Sequence, residues 1–440
     1  MKELGLEIGV NKPPVSGFVL FKIALKAVSA KWYGKALQEG SVGVDGLRLV
    51  GGKLALPDGQ LVLGTIDIQG EKIDGIYFQN VPSGPLKVVD VSGLIVAPGF
   101  IDIHLNGGAG ETFEDADSEG LDRILDLYAR HGTTSLLGAL NTAPREVRLQ
   151  SLARIQTWQK EMDHPVSFLG VYLEGPYFNP AQRGAHQARW MCDPDPDEYG
   201  VWLDQFGDLI RVVSLAPERK GAFPLIRELD RAGIVPAVGH SMATEVDMEQ
   251  AVEAGVRLIT HIYNAQSSFV RSDEGKHLGV AEVGLMRDDL VVEVIPDGFH
   301  LTPAMLAWIV KVKPWDLICA TTDAMHATGL GPGKYQMMGQ TVWVEGDEAF
   351  REDRKRHAGS ILTMEKGVQH LVRAGAPVGH AIKMATEVPA RVIGVDTYKG
   401  KLMKGYDADL VFLDDALNVV ATVCRGQVVH AISGMSLEVF

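Results

Sequence analysis

The sequence has few cysteines, no excess of basic residues and no apolar run long enough to cross a bilayer, and each shortage excludes a class of protein. Its three cysteines, Cys192, Cys319 and Cys424, lie far apart without a Cys-x-x-Cys pair, which argues against a redox or zinc-ribbon motif. Acidic residues outnumber basic ones by 56 to 42, and the net charge of −14 disfavours nucleic acid as a partner. We therefore expect a cytoplasmic protein with no membrane span.

The chain is long enough for one large domain and a smaller one. Hydrophobic residues make up 46% of its 440 positions, which is ample for a sizeable core. Short, glycine-punctuated apolar runs fill positions 44–97 and return at 400–440, and this texture predicts a small β-sandwich domain built from both ends of the chain. Residues 1–43 form an N-terminal extension to which the sequence assigns no function.

The central part of the chain, 98–399, alternates apolar strands with helix-like segments. Such alternation predicts an α/β fold of the (β/α)₈ barrel type, similar to the TIM barrel. The eight predicted strands begin in the stretch at 98–110 and continue with 134–140, 167–174, 210–216, 234–240, 258–264, 290–295 and 317–322. Helices are predicted at 120–130, 144–162, 223–232, 244–254 and 302–312, while the boundaries near 201–209 and 265–289 stay open.

Polar side chains gather at the carboxyl ends of these predicted strands, where barrel enzymes place their functional groups. The residues concerned are His104, Glu174, His240, His261, His300 and Asp323. A single histidine or aspartate is more often a hydrogen-bonded structural residue. Several in register on one predicted rim favour a functional site instead.

This set of side chains suits a metal-dependent hydrolase. A carboxylate and two imidazoles can hold a divalent cation and leave one coordination position open. Such an ion lowers the pKa of water and polarises a carbonyl group. Asp323 is the candidate for the unligated carboxylate that moves protons between water and the leaving group.

With these residues in place, the chain resembles the N-acetylglucosamine-6-phosphate deacetylase family of the amidohydrolase superfamily, from about Val44 to the C-terminus. The resemblance depends on short stretches that occur in the family's order. They are Pro98-Gly99-Phe100-Ile101-Asp102, Leu173-Glu174-Gly175-Pro176, Gly184-Ala185-His186, Gly239-His240-Ser241, His261-Ile262-Tyr263-Asn264-Ala265, Asp297-Gly298-Phe299-His300, Thr322-Asp323-Ala324 and Ala358-Gly359-Ser360.

The resemblance implies roles for the residues at the metal. Glu174, His240 and His261 would bind the principal ion, with Zn²⁺ the expected metal. Asp323 would act as general base and then as general acid, and His186 would position or polarise the acetamide.

The resemblance also implies a substrate pocket. Asn264 and Ala265 would meet the sugar phosphate, partly through backbone N–H groups, and His300 would contact the sugar or its phosphate. Members of the family commonly take a phosphate-binding arginine from a neighbouring subunit. We therefore expect a homodimer, with Arg271 as the candidate arginine.

Two departures from the family pattern bear on these expectations. Two-metal members have His-x-His after the first strand and single-metal members commonly have Gln-x-Asn, whereas this chain has His104-Leu105-Asn106. This hybrid favours one tight ion. His104 would add a ligand for a second ion, which we expect to bind weakly if it binds. The stretch at 267–284 also differs from the family's short turn, and that makes the substrate less certain than the reaction.

The sequence thus predicts a deacetylase that hydrolyses the acetamide of N-acetylglucosamine 6-phosphate. One alternative keeps the chemistry and changes the substrate to another N-acyl amino sugar, such as N-acetylgalactosamine 6-phosphate, or to an N-acyl amino acid. An alternative from another class is a catalytically silent barrel that acts as an interaction protein.

Overall fold

The computed structural model describes residues 46–273, 275–337, 340–352, 354 and 358–432. The predicted extension at 1–43 lies outside these residues, as do positions 44, 45 and 433–440 of the predicted small domain. Within the described ranges, no helix combines the length and the apolar character that a bilayer crossing requires.

The first five strands belong to a sheet that both ends of the described chain build. They are β1 (Gly46–Ala55), β2 (Leu61–Gln69), β3 (Lys72–Tyr77), β4 (Lys87–Asp90) and β5 (Ile95–Pro98). A register shift between Val50 and Gly52 lets the first half of β1 pair with β4 and the second half with β5. The bulge thus allows one strand to hold two partners on the same side.

The central strands form a nearly closed parallel barrel in the order β17-β16-β13-β12-β11-β10-β9-β6. Their apolar runs are buried on both faces, as parallel strands covered by helices require. The barrel strands are β6 (Phe100–Leu105), β9 (Thr133–Leu140), β10 (Ser167–Glu174), β11 (Ile210–Leu215), β12 (Val235–Val238), β13 (Leu258–Ile259), β16 (Val291–Val294) and β17 (Ile318–Ala320). A parallel bridge between Leu105 of β6 and Ala324, four residues after β17, links the two ends of this order.

Short strands form small sheets outside the barrel. Three strands at the C-terminal end of the described chain complete the sheet that contains β1 to β5. The short ones are β7 (Gly107–Gly108), β8 (Glu111–Thr112), β14 (Val270–Ser272), β15 (Gly275–His277), β18 (Gly333–Met337), β19 (Gln340–Glu345) and β20 (Glu348–Arg351), and the last three are β21 (Leu410–Leu413), β22 (Val419–Cys424) and β23 (Gln427–Ala431). β21 pairs with β5, which joins the two ends of the described chain in one sheet.

Ten α-helices lie between the strands of the described chain. They are α1 (Ser118–Ala129), α2 (Arg145–Glu161), α3 (Pro196–Phe206), α4 (Ala222–Arg231), α5 (Glu245–Ala254), α6 (Val280–Met286), α7 (Pro303–Val312), α8 (Met364–Arg373), α9 (Val378–Met384) and α10 (Glu387–Val392). The five predicted helices are all present. The sequence did not predict α3, capped by the Asp195 side chain, or the β14–β15 hairpin and α6 within 265–289.

The predicted fold class is therefore confirmed, with a barrel and a smaller sheet from both ends of the chain. All described residues belong to one compact unit. The domain boundaries at 97/98 and 399/400 stay a prediction.

The amino end of the barrel is filled by the segment around α10. Val388, Ala390 and Ile393 join the buried cluster of Ile101, Tyr172 and other interior residues. The backbone N–H of Ile101 also donates to the carbonyl of Ala385 at 2.9 Å. With apolar side chains filling this end, polar groups are left to the carboxyl ends of the strands.

The small sheet is tied to the barrel by a buried ion-pair cluster and by a close backbone approach. The Lys399 Nζ lies 2.6 Å from Asp409 and 2.8 Å from Asp407, and it donates to the Ser167 hydroxyl of β10 at 3.1 Å. In the β1–β2 turn, Gly59 packs so closely on α9 that a Cβ added at Gly379 would lie 2.1 Å from the Gly59 carbonyl oxygen.

Replacing Gly379 by alanine is expected to lower the free energy of unfolding by about 1–3 kcal/mol, because the new methyl group must displace the β1–β2 turn. Gly200 in α3 is the matched control, since nothing lies within 4 Å of a Cβ there. Gly200→Ala should be neutral or stabilising by about 0.5–1 kcal/mol. Denaturant melts of both variants test this, and equal stabilities would contradict it.

Candidate metal centre

Four key side chains lie just where the chain leaves the barrel strands. Glu174 is the last residue of β10, His240 and His261 follow the ends of β12 and β13, and Asp323 follows β17. The φ angles of His240, His261 and Asp323 are 48°, 24° and 47°, in a region that non-glycine residues rarely adopt. Such strained backbone is concentrated at functional sites in proteins.

The Glu174 carboxylate is the meeting point of three imidazoles. Its Oε1 lies 3.1 Å from the Nε2 atoms of both His240 and His261, and 3.4 Å from the Nε2 atom of His186. The ligand atoms of Glu174, His240 and His261 all lie within 4.8 Å of one another, and the three residues are buried. One carboxylate oxygen and two imidazole nitrogens form a donor set that binds zinc-like cations, so these residues fit a divalent metal.

The hydrogen bonds and charges around these residues favour the forms that bind metal. The Nδ1–H of His240 donates to the Gln182 carbonyl at 2.8 Å, which leaves the Nε2 lone pair facing Glu174. Burial, helped by the nearby His186, lowers the pKa of His240 to about 4, so that this ring is neutral at neutral pH. Burial alone would raise the pKa of Glu174, but His186 and His104 hold it well below its usual range.

A second carboxylate, Asp323, lies near the same ring nitrogen of His104 as Glu174 does. The His104 Nε2 is 3.6 Å from Glu174 Oε2 and 3.7 Å from Asp323 Oδ1. Burial raises the pKa of Asp323. Burial would lower the pKa of His104, yet the charges of Asp323 and Glu174 raise it well above its ordinary value. Two carboxylates in a buried space thus attract positive charge to the point between them.

A chain of amides fixes the position of Asp323. The Asn106 Nδ2 donates to Asp323 Oδ1 at 2.6 Å. The Asn141 Nδ2 donates both to Asn106 Oδ1 at 3.0 Å and to Glu114 Oε1 at 2.7 Å. Because the Asn106 oxygen already accepts a hydrogen bond from Asn141, its amide nitrogen is the group that faces Asp323.

The residues predicted to meet the substrate lie on nearby loops. Asn264 and Ala265 are half-buried in the turn after His261, and the Asn264 amide donates to the His261 carbonyl at 3.2 Å. His300 is half-buried, and its Nδ1 lies 2.6 Å from Asp297 Oδ2. The Arg271 side chain is exposed on β14, and the contacts of the metal centre described above do not involve it.

Sequence reasoning missed three polar residues in these networks. Asn141 directly follows β9, so its place at the rim had a signal in the sequence, whereas Glu114 stands in a loop without a motif and only folding brings it to Asn141. Glu293 had a visible signal, a charged residue within the apolar strand β16, because a charge in such a run needs a buried partner. Asp102, in contrast, accepts hydrogen bonds from the hydroxyls of Thr321 and Thr322 and helps to close the barrel.

Comparison with known proteins gives consistent results. The amidohydrolase family model matches residues 95–429. The N-acetylglucosamine-6-phosphate deacetylase of Bos taurus is 37% identical over 77% of this chain and 84% of its own length. The N-acetylgalactosamine-6-phosphate deacetylase of Escherichia coli O157:H7 is 33% identical over 78% of this chain and 90% of its own.

A solved structure agrees with this. The crystal structure of N-acetylglucosamine-6-phosphate deacetylase from Pasteurella multocida superposes with a TM-score of 0.81 at 28% identity, covering 88% of this chain and all of the other. The chain belongs to the N-acetylglucosamine-6-phosphate deacetylase family of the amidohydrolase superfamily. The resemblance seen in the sequence is thereby confirmed.

As a member of this family the protein is a hydrolase that acts on amide C–N bonds, and the predicted enzyme class is confirmed. The family depends on a divalent metal, and Glu174, His240 and His261 supply a candidate site for it. This membership argues against the alternative of a catalytically silent barrel.

Proposed function

We propose that this protein hydrolyses the acetamide of N-acetylglucosamine 6-phosphate to glucosamine 6-phosphate and acetate. The observation that carries the proposal is the convergence of His186, His240 and His261 on the buried Glu174 carboxylate, with Asp323 at the same rim. Such a rim suits hydrolysis of an uncharged amide, which needs both an activated water and a proton for the amine.

Glu174, His240 and His261 would hold the divalent ion. When bound, the ion supplies Lewis acidity toward the amide oxygen and toward water. Asp323 accepts the proton of the attacking water and then donates it to the nitrogen of the departing amine. Asn106 supports the first of these steps, because its N–H donates to Asp323 Oδ1 at 2.6 Å and favours the ionised form.

His186 would stabilise the negative charge that develops on the amide oxygen. Its ring is buried and lies edge-on to His240, with 4.5 Å between the ring centroids. A donor held in a buried place acts strongly on such a charge, because water does not screen it.

The phosphate of the substrate would be bound on the His300 side of the rim. Although burial lowers the pKa of His300, the hydrogen bond and the charge of Asp297 raise it above the ordinary value, which favours the protonated, cationic ring. Asn264 and Ala265 would add polar contacts, including backbone N–H groups. The exposed Arg271 would serve the site of a second copy of the chain, which makes the working form a homodimer.

We assign Zn²⁺ as the metal, with one tight ion and His104 as the ligand that would add a weaker second one. The imidazole-rich donor set supports zinc over the harder Mg²⁺ and Ca²⁺ ions. We also place the protein in the cytoplasm, because Cys192, Cys319 and Cys424 are all free thiols.

N-acetylgalactosamine 6-phosphate is the second candidate substrate, since a relative named for that activity is 33% identical to this chain. The two sugars differ only in the configuration at C4, which lies away from the acetamide. N-acyl amino acids are a third and less supported class, because they lack the phosphate that His300 would bind.

Acetate release from N-acetylglucosamine 6-phosphate, its galactosamine epimer and unphosphorylated N-acetylglucosamine is the direct test. We expect the first to have the highest kcat/KM and the unphosphorylated sugar to lose about 10²-fold or more, because binding energy from the anion is used at the reacting centre. Removing the metal with a chelator should abolish release, and adding Zn²⁺ should restore it. No release from any of the three sugars by the Zn²⁺-loaded protein would refute the proposal.

Asp323→Asn should lower kcat by about 10²–10⁴-fold, because an amide cannot carry the proton from water to amine. Elemental analysis should find the same principal metal content as in the parent. Asp415→Asn is a matched control, since that carboxylate is largely exposed on the small sheet, and it should keep full activity. An Asp323 variant as active as the control would remove this residue from the mechanism.

The preference for phosphorylated substrate should depend on pH through His300. Its pKa is raised above the ordinary value by Asp297, and the positive charge that this favours is lost as pH rises through the raised pKa. The phosphate is fully ionised above about pH 6–7, so the ratio of kcat/KM for phosphorylated over unphosphorylated sugar should fall at higher pH. Asp297→Asn should move this fall to lower pH. A ratio that is flat across neutral and alkaline pH in both proteins would exclude His300 as the phosphate cation.

A further inference from the structure

A buried carboxylate outside the proposed mechanism, that of Glu293, contacts the ring of His104. Glu293 lies in β16 and has no exposed surface. Its Oε2 lies 3.1 Å from His104 Nδ1 and accepts the backbone N–H of His261 at 3.1 Å. One carboxylate oxygen therefore contacts two residues that belong to the proposed metal centre.

The hydrogen-bonding pattern fixes which nitrogen of His104 carries a proton. Because Oε2 accepts the His261 N–H as a carboxylate oxygen, it also acts as the acceptor toward His104, and the Nδ1 of His104 is the donor. In the neutral ring the lone pair is then on Nε2. This Nε2 has no hydrogen-bond partner among the described residues, although it is fully buried.

The free Nε2 faces two carboxylates. It lies 3.6 Å from Glu174 Oε2 and 3.7 Å from Asp323 Oδ1, too far for a direct hydrogen bond to either. In the neutral ring, the Nε2 lone pair and the two carboxylate oxygens are three metal-ligand atoms that lack a common partner. A cation placed among them would satisfy all three groups, and a buried set without a cation would be costly.

The remaining contacts of His104 leave its ring little freedom. The ring stacks on Tyr172 with a centroid distance of 4.3 Å and an interplanar angle of 18°. Its backbone N–H donates to Asp102 and its carbonyl accepts from the backbone N–H of Asp323. Tyr172 thus fixes the plane of the ring, and the contact with Glu293 fixes which of the two ring nitrogens lies on the Glu293 side.

We propose that Glu293 is the positioning residue that makes His104 a metal ligand, and that this pair decides whether a second divalent ion binds beside the first. The proposal rests on the metal centre assigned above and extends it. A histidine ligand usually donates its other ring N–H to a carboxylate, which orients the ring and increases its basicity. Glu293 acts only through His104 for the second ion, whereas Glu174, His240 and His261 hold the first.

The test measures metal binding rather than turnover. Chelator-stripped protein is titrated with Zn²⁺ against a chromophoric chelator, and elemental analysis gives the number of ions per chain. The parent should bind two ions in two steps. His104→Gln, which introduces the glutamine of single-metal relatives, should keep the first step and lose the second.

Glu293→Leu should weaken the second step by about 10–100-fold. It also removes the acceptor of the His261 backbone N–H, so a smaller loss is expected in the first step. Glu293→Gln keeps an acceptor of the same shape and should fall between this variant and the parent. The double variant His104→Gln/Glu293→Leu should lack the second step as His104→Gln does, because Glu293 then has no ring of His104 to orient. Ser214→Ala is the matched control, a fully buried barrel residue whose hydroxyl contacts Thr260, and it should behave as the parent.

Two results would overturn the proposal. They are a parent that binds a single ion at saturating Zn²⁺ and a Glu293→Leu variant that keeps the second step unchanged. If the leucine variant does not fold, as judged by circular dichroism, an unchanged second step in Glu293→Gln would overturn the proposal instead. Acetate release by the parent with one ion bound is measured separately, so failure here is distinct from failure of the proposed function.

Discussion

The burial of the Glu174 carboxylate among imidazoles is the interaction on which the rest of the site depends. A charge taken out of water is costly unless other groups compensate it. Here compensation comes from His186 and His104, which hold the pKa of Glu174 well below its usual range. His186, His240 and His261 all reach Glu174 from loops that follow different barrel strands, and a cation bound among Glu174, His240 and His261 would compensate the carboxylate further. The barrel satisfies this requirement because all its strands are parallel, so that distant parts of the chain end at one rim.

The second carboxylate of the rim is held in a different way. Asp323 is fixed by Asn106, whose amide is oriented by Asn141 and Glu114. The amide of Asn106 gives Asp323 an uncharged hydrogen-bond donor, while the His104 ring lies at similar distances from both carboxylates. The difference lies in the other neighbours: His186, His240 and His261 meet at Glu174, and Asn106 faces Asp323. Such a difference allows two carboxylates to perform separate tasks.

The sequence was sufficient for the barrel and for the rim, because both depend on local patterns. Apolar runs predict buried parallel strands, and a residue such as His240 directly after a run must lie at the rim. Local patterns were insufficient where contacts between distant parts of the chain determine the structure. The hairpin at β14–β15 has no regular alternation, and Glu114 reaches Asn141 only through folding, so neither leaves a periodic trace. Helix α3 does leave one, since its buried residues Tyr199, Trp202 and Phe206 have helical spacing, but the repeat is short and Gly200 interrupts it.

The His104-Leu105-Asn106 sequence shows the same limit at the level of a single side chain. A motif identifies the residue but not the orientation of its ring or the nitrogen that carries the proton. For His104 both are set by Glu293, far along the chain. β6 and β16 are not neighbours in the sheet, since β17 pairs with β16 and the segment just after β17 bridges to β6. The contact therefore crosses the barrel interior, where neither strand's own pattern records it. Metal count in such a barrel is a property of the pair of residues, and the first-strand motif alone is an incomplete predictor of it.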